Sequence, residues 1–233
     1  MLIEVLSGAA CAAGVMAYGV RGRSARLFGA SVWRGPSDRP SIALTFDDGP
    51  SESTPELLEV LERHQVRATF FQCGVNVERL PEVAREVVVR GHEIGNHSHT
   101  HPRFYLRSGR FLYDELARAQ AAISEAAGRK PALFRAPQGT RWPGLAGAQS
   151  RLGLLGVMWT VLGRDWALPA EAIALRLIRG ARNGAILCLH DGCEVRPRPD
   201  VRPMLEAVRR LIPELQARGF RFETVSELLC PRN

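Results

Sequence analysis

From residue 41 to about residue 228, short apolar runs alternate with longer segments of helical spacing. Residues 41–46, 68–73, 93–96, 132–135, 156–162, 185–190 and 220–225 read as strands. Between them, residues 55–64 repeat apolar positions at Leu57, Leu58, Val60 and Leu61, with Ser53 or Thr54 in front as N-cap. Residues 80–90 are helical and stop at Gly91; residues 110–127 are amphipathic and stop at Gly128. Residues 169–182 and 202–218 complete the helices, the second with Asp200 available as a cap. Strict strand–helix alternation implies a parallel sheet with helices outside it. At this length closure into an α/β barrel is expected rather than an open sheet. No glycine-rich phosphate loop interrupts the pattern, so nucleotide binding is not expected.

Ahead of the alternation lies a different pattern. Residues 5–20 are apolar or small, with Ser7 the only clearly polar member, and Arg21, Arg23 and Arg26 follow. A spanning helix needs about 17–25 such residues. A secretory signal begins with basic side chains, and here Glu4 stands there instead. The segment 1–20 is therefore read as a membrane anchor, a signal (cleaved or not) or a packed helix. Residues 21–40, punctuated by Gly22, Gly29, Gly35, Pro36 and Pro40, read as a linker, 41–228 as the catalytic domain and 229–233 as a tail.

Composition changes this picture little. The 233 residues are 45% hydrophobic, enough for a sizeable core. The net charge is +7, and Lys130 is the only lysine among 31 basic residues. The arginines are scattered and no nucleic-acid motif accompanies them, so no nucleic-acid partner is expected. Their charge favours anionic polymers or lipid surfaces. The five cysteines form no C-x-x-C pair, which argues against a zinc ribbon or dense disulfide framework and leaves open a Cys188–Cys193 or Cys193–Cys230 bridge.

Chemistry-bearing residues collect at the C-terminal ends of the strands. Asp47-Asp48 follow the first strand, His97 to His101 the third, Arg135 the fourth, Asp165-Trp166 the fifth, and His190-Asp191 the sixth. In a parallel barrel these ends share one face, where active sites lie. His97 and His101, four apart, share a face if the segment is a helical turn. With Asp48 they make three ligands of the kind a catalytic metal prefers, leaving Asp47 as a spare base. Zinc suits two histidines and a carboxylate; cobalt, nickel and manganese are acceptable to the same donors. His92 reads as a structural histidine at a helix end, and His99 as a surface or supporting one. A serine hydrolase reading of Ser98 lacks a nucleophile elbow and leaves these ligands without a role.

On these residues the chain resembles the polysaccharide deacetylases of the NodB type, carbohydrate esterase family 4. The resemblance covers about residues 41–228. It rests on Thr45-Phe46-Asp47-Asp48-Gly49-Pro50, His97-Ser98-x-x-His101, Arg135-x-Pro137-x-Gly139, Asp165-Trp166 and Leu187-x-x-His190. It implies a distorted (β/α)7 barrel that removes acetyl groups from an N-acetylated glycan, with Asp47 as base and Asp48, His97 and His101 on the metal. It further implies that Arg135 orients the base and Asp165 pairs with that arginine. Trp166 walls the groove, Leu187 lines an apolar pocket, and His190 is the general acid. The family usually has an aromatic residue where Gln138 stands; there the backbone N–H helps hold the oxyanion. It usually has an earlier aspartate where Leu162 stands. Peptidoglycan or chitin-like substrates, a monomer, and a cell-envelope location, anchored or secreted, follow as expectations, with the cytoplasmic face of the membrane left open. The rival readings are a deacylase of a lipid-linked sugar at the membrane, an esterase acting on O-acetyl xylan, and a non-catalytic carbohydrate-binding relative.

Overall fold

In the computed structural model, which describes residues 2–230, strands and helices alternate as the apolar pattern requires. The strands are β1 (Ser31–Val32), β2 (Ser41–Gly49), β3 (Thr69–Gln72), β4 (Glu93–Asn96), β5 (Leu133–Phe134), β6 (Leu155–Val157), β7 (Val161–Leu162), β8 (Ile186–His190) and β9 (Arg221–Phe222). All their pairings are parallel. They form one sheet in the order β1-β6-β5-β4-β3-β2-β8-β7, with β9 added to β2. Curled into an incomplete barrel, this sheet has the form expected of a distorted (β/α)7 fold.

Helices cover its outer face. They are α1 (Leu2–Arg21), α2 (Thr54–Arg63), α3 (Gly74–Arg79), α4 (Pro81–Val89), α5 (Gly109–Ala127), α6 (Leu145–Leu152), α7 (Ala170–Gly180), α8 (Arg202–Ala217) and α9 (Val225–Leu229). β2 is the central strand, buried along its whole length. Its alternate residues Ile42, Leu44 and Phe46 join Leu57 and Leu61 of α2 and Leu211 of α8 in the main core. Burying each such side chain contributes about 1.5–3 kcal/mol. The intervening Ala43 packs with Phe71 and Ile186 in a separate cluster, on the face that carries Thr45 and Asp47.

Four sequence expectations change here. First, residues 21–40 are not a free linker. β1 pairs with β6, and the Gly35 N–H donates to Gly184 O at 2.8 Å. Thr160 ties this edge to the other one: its Oγ1 donates to Trp33 O at 2.8 Å, and its N–H donates to Ile186 O at 2.8 Å. Second, the apolar run 156–162 is two strands, because the chain crosses the seam between β6 and β7 in the middle of it. Third, α3 and α6 stand in segments to which the sequence pattern assigned no element, and the last run breaks after β9 into α9. Thr224 starts α9 with a capping box, accepting from the Glu227 N–H while the Glu227 carboxylate accepts from the Thr224 N–H.

Fourth, among the residues of α1 whose burial is described, 10–18 are exposed and Gly19 and Val20 are buried. Among the described residues no helix is long and apolar enough to cross a membrane. All five cysteines are free, which removes the disulfides left open above. Of the 229–233 tail, Leu229 closes α9 and Cys230 follows it, while 231–233 lie outside the described residues.

Candidate active site

Consecutive residues of a regular strand point to opposite faces, yet Asp47 and Asp48 both line one cavity. An irregularity in β2 makes this possible. Its register with β3 shifts between Asp47 and Gly49, and Asp48 takes a left-handed φ of 70°. Gly49 must then pass close to Asp191: a Cβ there would lie 2.4 Å from the Asp191 carboxylate. Asp191 is buried, accepts from Thr54 Oγ1 at 2.6 Å, and is pushed up to about 7, chiefly by burial.

The two aspartates have different partners. Asp48 Oδ1 lies 3.2 Å from His97 Nε2 and 3.2 Å from His101 Nε2. Burial alone would raise the Asp48 carboxyl, but these imidazoles hold it well below the usual carboxylate range. Asp47 Oδ1 accepts from Arg135 Nη1 at 2.6 Å. Its Oδ2 accepts a weak bond from Cys188 Sγ at 3.5 Å. Arg135 is fully buried and is spent entirely on the barrel interior. It also donates to Thr45 Oγ1 at 2.8 Å and to Val157 O at 3.1 Å, and it stacks over Phe71 at 4.2 Å.

The two histidines meet through a loop, not a helical turn. His97 directly follows β4, and Ser98 and His101 adopt left-handed φ values of 66° and 56°. The Ser98 N–H donates to Asn96 Oδ1 at 2.8 Å, and the His101 N–H to Ser98 Oγ at 3.2 Å. Buried Glu115 of α5 clasps the middle of the loop, accepting from the backbone of His99 and Thr100 and from Thr100 Oγ1. His97 Nδ1 bonds to Arg135 O at 2.8 Å, which turns Nε2 toward Asp48. His99 points away; it is buried and meets Arg118 at 2.8 Å, so it supports the loop from inside and is not a surface residue. His92 is structural, as expected: its Nδ1 accepts from the Ala68 N–H.

Asp165 departs from expectation. Its partner is His190, not Arg135. Asp165 Oδ1 lies 2.9 Å from His190 Nδ1, and Oδ2 accepts from the His190 N–H at 2.8 Å. Burial pulls the His190 imidazole down, but the Asp165 carboxylate outweighs it and raises it to about 10. His190 is therefore an imidazolium at neutral pH. Trp166, 61% exposed, stands edge-on to it at 5.2 Å.

A cavity of about 820 Å³ connects these groups, and Asp47, Asp48, His101, Gln138, Asp165, Trp166 and His190 all line it. Gln138 sits at a left-handed φ of 54° in the short turn Pro137–Gly139. Leu187 does not line the cavity. It is fully buried beside Leu44 and belongs to the main core, because β8 turns it to the helix face. Sequence reasoning missed Cys188, Glu115, Thr45, Asn96 and Arg21. Thr45 lies within the first motif, and Cys188 stands two residues before His190, where strand periodicity turns both to one face.

The Asp48–His97–His101 constellation fits a divalent cation. The three ligand atoms lie within 4.8 Å of one another, and Asp48 Oδ1 is buried with no hydrogen-bond donor other than what the imidazoles supply. His101 Nδ1 is likewise unpartnered, and Glu194 N–H donates to Asp48 Oδ2 at 2.8 Å, fixing the carboxylate from behind. Two imidazoles and a carboxylate with open space in front is a catalytic donor set.

Comparison with known proteins gives the same direction. A family model described as polysaccharide deacetylase matches residues 34–157. A chitooligosaccharide deacetylase of Azorhizobium caulinodans is 37% identical over 196 residues, covering 78% of this chain and 91% of that relative. A peptidoglycan-N-acetylglucosamine deacetylase of Bacillus cereus is 35% identical over 202 residues, covering 85% of this chain and 92% of the relative. A solved peptidoglycan N-acetylglucosamine deacetylase superposes with a TM-score of 0.81 at 28% identity, covering 86% and 93% of the two chains.

Proposed function

We propose, from the premise that this chain belongs to the polysaccharide deacetylase family, that it removes N-acetyl groups from an amino-sugar glycan of the peptidoglycan or chitin-oligosaccharide type and releases acetate. The observation that carries this reading is the separation of roles between adjacent aspartates. Asp48 faces two imidazoles as a ligand would, while Asp47 faces a guanidinium and stays available as a base.

Asp48, His97 and His101 would hold the cation, zinc by donor preference, with cobalt, nickel or manganese able to substitute. When bound, it polarises the acyl carbonyl and acidifies water. Asp47 takes the proton from the water that attacks the acyl carbon. Arg135 aims the Asp47 carboxylate through a 2.6 Å bond. The Gln138 backbone N–H serves the developing oxyanion, and losing one such donor typically costs about 3 kcal/mol of transition-state stabilisation. His190, held protonated by Asp165, gives its proton to the leaving nitrogen as the C–N bond breaks. The products are acetate and a free amino sugar. The proposed place of action is the cell envelope, where such glycans lie.

The test incubates the purified chain with zinc and N-acetylglucosamine oligomers, with acetylated xylan in parallel, and assays acetate. Release from the oligomers, lost in Asp48→Ala and after exhaustive chelation, is the expected result. Full activity in either case would sink the metal-dependent mechanism, and release from xylan alone would reassign the substrate to an O-acetyl ester.

A further inference from the structure

We propose that Arg21, Arg196 and Arg198 form an anion-binding subsite at the mouth of the catalytic cavity, and that the acetamido sugar turned over here carries a phosphate or carboxylate group. This rests on the deacetylase reading and narrows its substrate.

All three arginines line the cavity. Among the described residues none of their side chains has a hydrogen-bond or ion-pair partner. Their neighbours differ: Arg79 pairs with Glu52, and Arg202 grips both oxygens of Asp200. The cavity is thus polarised along its depth. Its floor holds Asp47, Asp48 and Asp165, each matched to a guanidinium or imidazole. Its mouth presents three unmatched cations. Besides Asp200, the acidic wall residue at the mouth is Glu194, which lies on the metal side, its N–H bonded to Asp48 Oδ2 at 2.8 Å. Like charges around one opening repel each other, and an incoming oxyanion relieves that repulsion.

The backbone carrying these arginines is fixed to the catalytic frame. Arg21 ends α1, and Arg141 clamps that end from the Gln138 loop. The Arg141 N–H donates to Val20 O at 3.1 Å, and its guanidinium donates to Gly22 O and, at 2.5 Å, to Ala25 O. Arg196 and Arg198 lie on the loop between β8 and α8. Asn76 Nδ2 bridges Asp48 O and Glu194 O on that loop, and the Arg198 N–H donates to Glu52 Oε2 at 2.8 Å. The same contacts that set the metal ligands therefore set where an anion would rest relative to the acetyl group. Guanidinium forks match phosphate and carboxylate oxygens in pairs, whereas a neutral glycan offers only hydroxyls.

Three probes test this on the full chain with zinc. They are a neutral N-acetylglucosamine tetramer, the octyl phosphodiester of N-acetylglucosamine 1-phosphate, and a peptide-free peptidoglycan disaccharide bearing its free lactyl carboxylate. We expect kcat/KM for at least one anionic probe to exceed the neutral one by about tenfold, and that advantage to shrink about threefold between roughly 20 and 200 mM salt. The phosphate and carboxylate arms identify which anion the site takes. Arg21→Ala, Arg196→Ala and Arg198→Ala should each lower the anionic-to-neutral ratio, with the lysine variants between. Equal rates on all probes without salt dependence, or alanine variants that slow every probe by one common factor, would overturn the subsite. Should no probe release acetate, the deacetylase reading fails on its own. Calorimetric binding of the phosphodiester, weakened in the alanine variants or not, then still decides the subsite.

Discussion

Asp47 is held from two sides, by Arg135 on one carboxylate oxygen and by the Cys188 thiol on the other. The thiol is fully buried and far from ionising, because burial drives it well above its usual range, so it acts as a donor. Replacing it by serine keeps a donor; replacing it by valine does not. Cys188→Val should lower kcat about tenfold with KM little changed, and Cys188→Ser less, as expected for loss of a bond to a charged group. Arg135→Ala leaves a buried carboxylate unpaired, costs about 3–5 kcal/mol and should lower the melting temperature by about 10 °C. His190 supplies a pH test. Its value rises from 6.5 to about 10 in the folded chain. The stabilisation from its pairing is thus full below 6.5 and is lost as pH climbs through about 10. Asp165→Asn removes the raising partner, so the alkaline limb of the kcat profile should move down by more than one pH unit; an unmoved limb would contradict the acid role. At this scale the sequence was highly legible. Of the residues proposed for the metal and the base, Asp47, Asp48 and His101 line one cavity, and His97 meets Asp48 behind its wall. The Asp165–Arg135 pairing that the resemblance implied is not formed, because β7 pairs with β8, not with β5, and this brings Asp165 to His190.

At the scale of elements, legibility followed amphipathic length. α5 and α8, long and strongly patterned, lie within a residue or two of where periodicity puts them. α6 was missed because it is only eight residues long, carries Gly147 within it, and buries just Leu145, Ala148 and Gln149 between its glycine caps Gly144 and Gly153. The spacing of His97 and His101 put them on one face only if the segment were a helical turn. Two left-handed residues and Glu115 replace the helix there, and no periodicity signals that. Arg141 is the element-level contact with the clearest readout. Arg141→Ala removes two buried charge-assisted bonds, each worth about 1.5–3 kcal/mol, that pin the end of α1. Amide exchange over residues 19–26 should accelerate in this variant, while β2 and β8 stay protected.

For the whole molecule, the alternation of patterns was sufficient to give a parallel barrel, but not its closure. A two-residue strand inside a segment rich in glycine and proline carries no periodic signal, yet β1 closes one edge of the sheet. A chain beginning at Ser41 should therefore melt about 10 °C lower or fail to accumulate, whereas replacing the exposed Val15 and Met16 of α1 by serine should leave the melting temperature within about 2 °C of the full chain. The arginine-rich surface does not supply that stability. Pairs such as Arg63–Glu59 and Arg218–Glu214 are exposed, and such pairs contribute at most about 1 kcal/mol each. The irregular stretch of β2 bears on how a molecule of this kind can be inherited or copied. Because both carboxylates face inward only through the extra residue at Asp48, loss of one residue there would turn a carboxylate outward while the surrounding motifs stayed intact. A descendant that kept both aspartates but straightened the strand at Asp48 would look complete to any comparison of motif letters and still be inert. Conversely, anyone grafting the two aspartates onto another barrel would have to transfer the backbone irregularity together with the side chains.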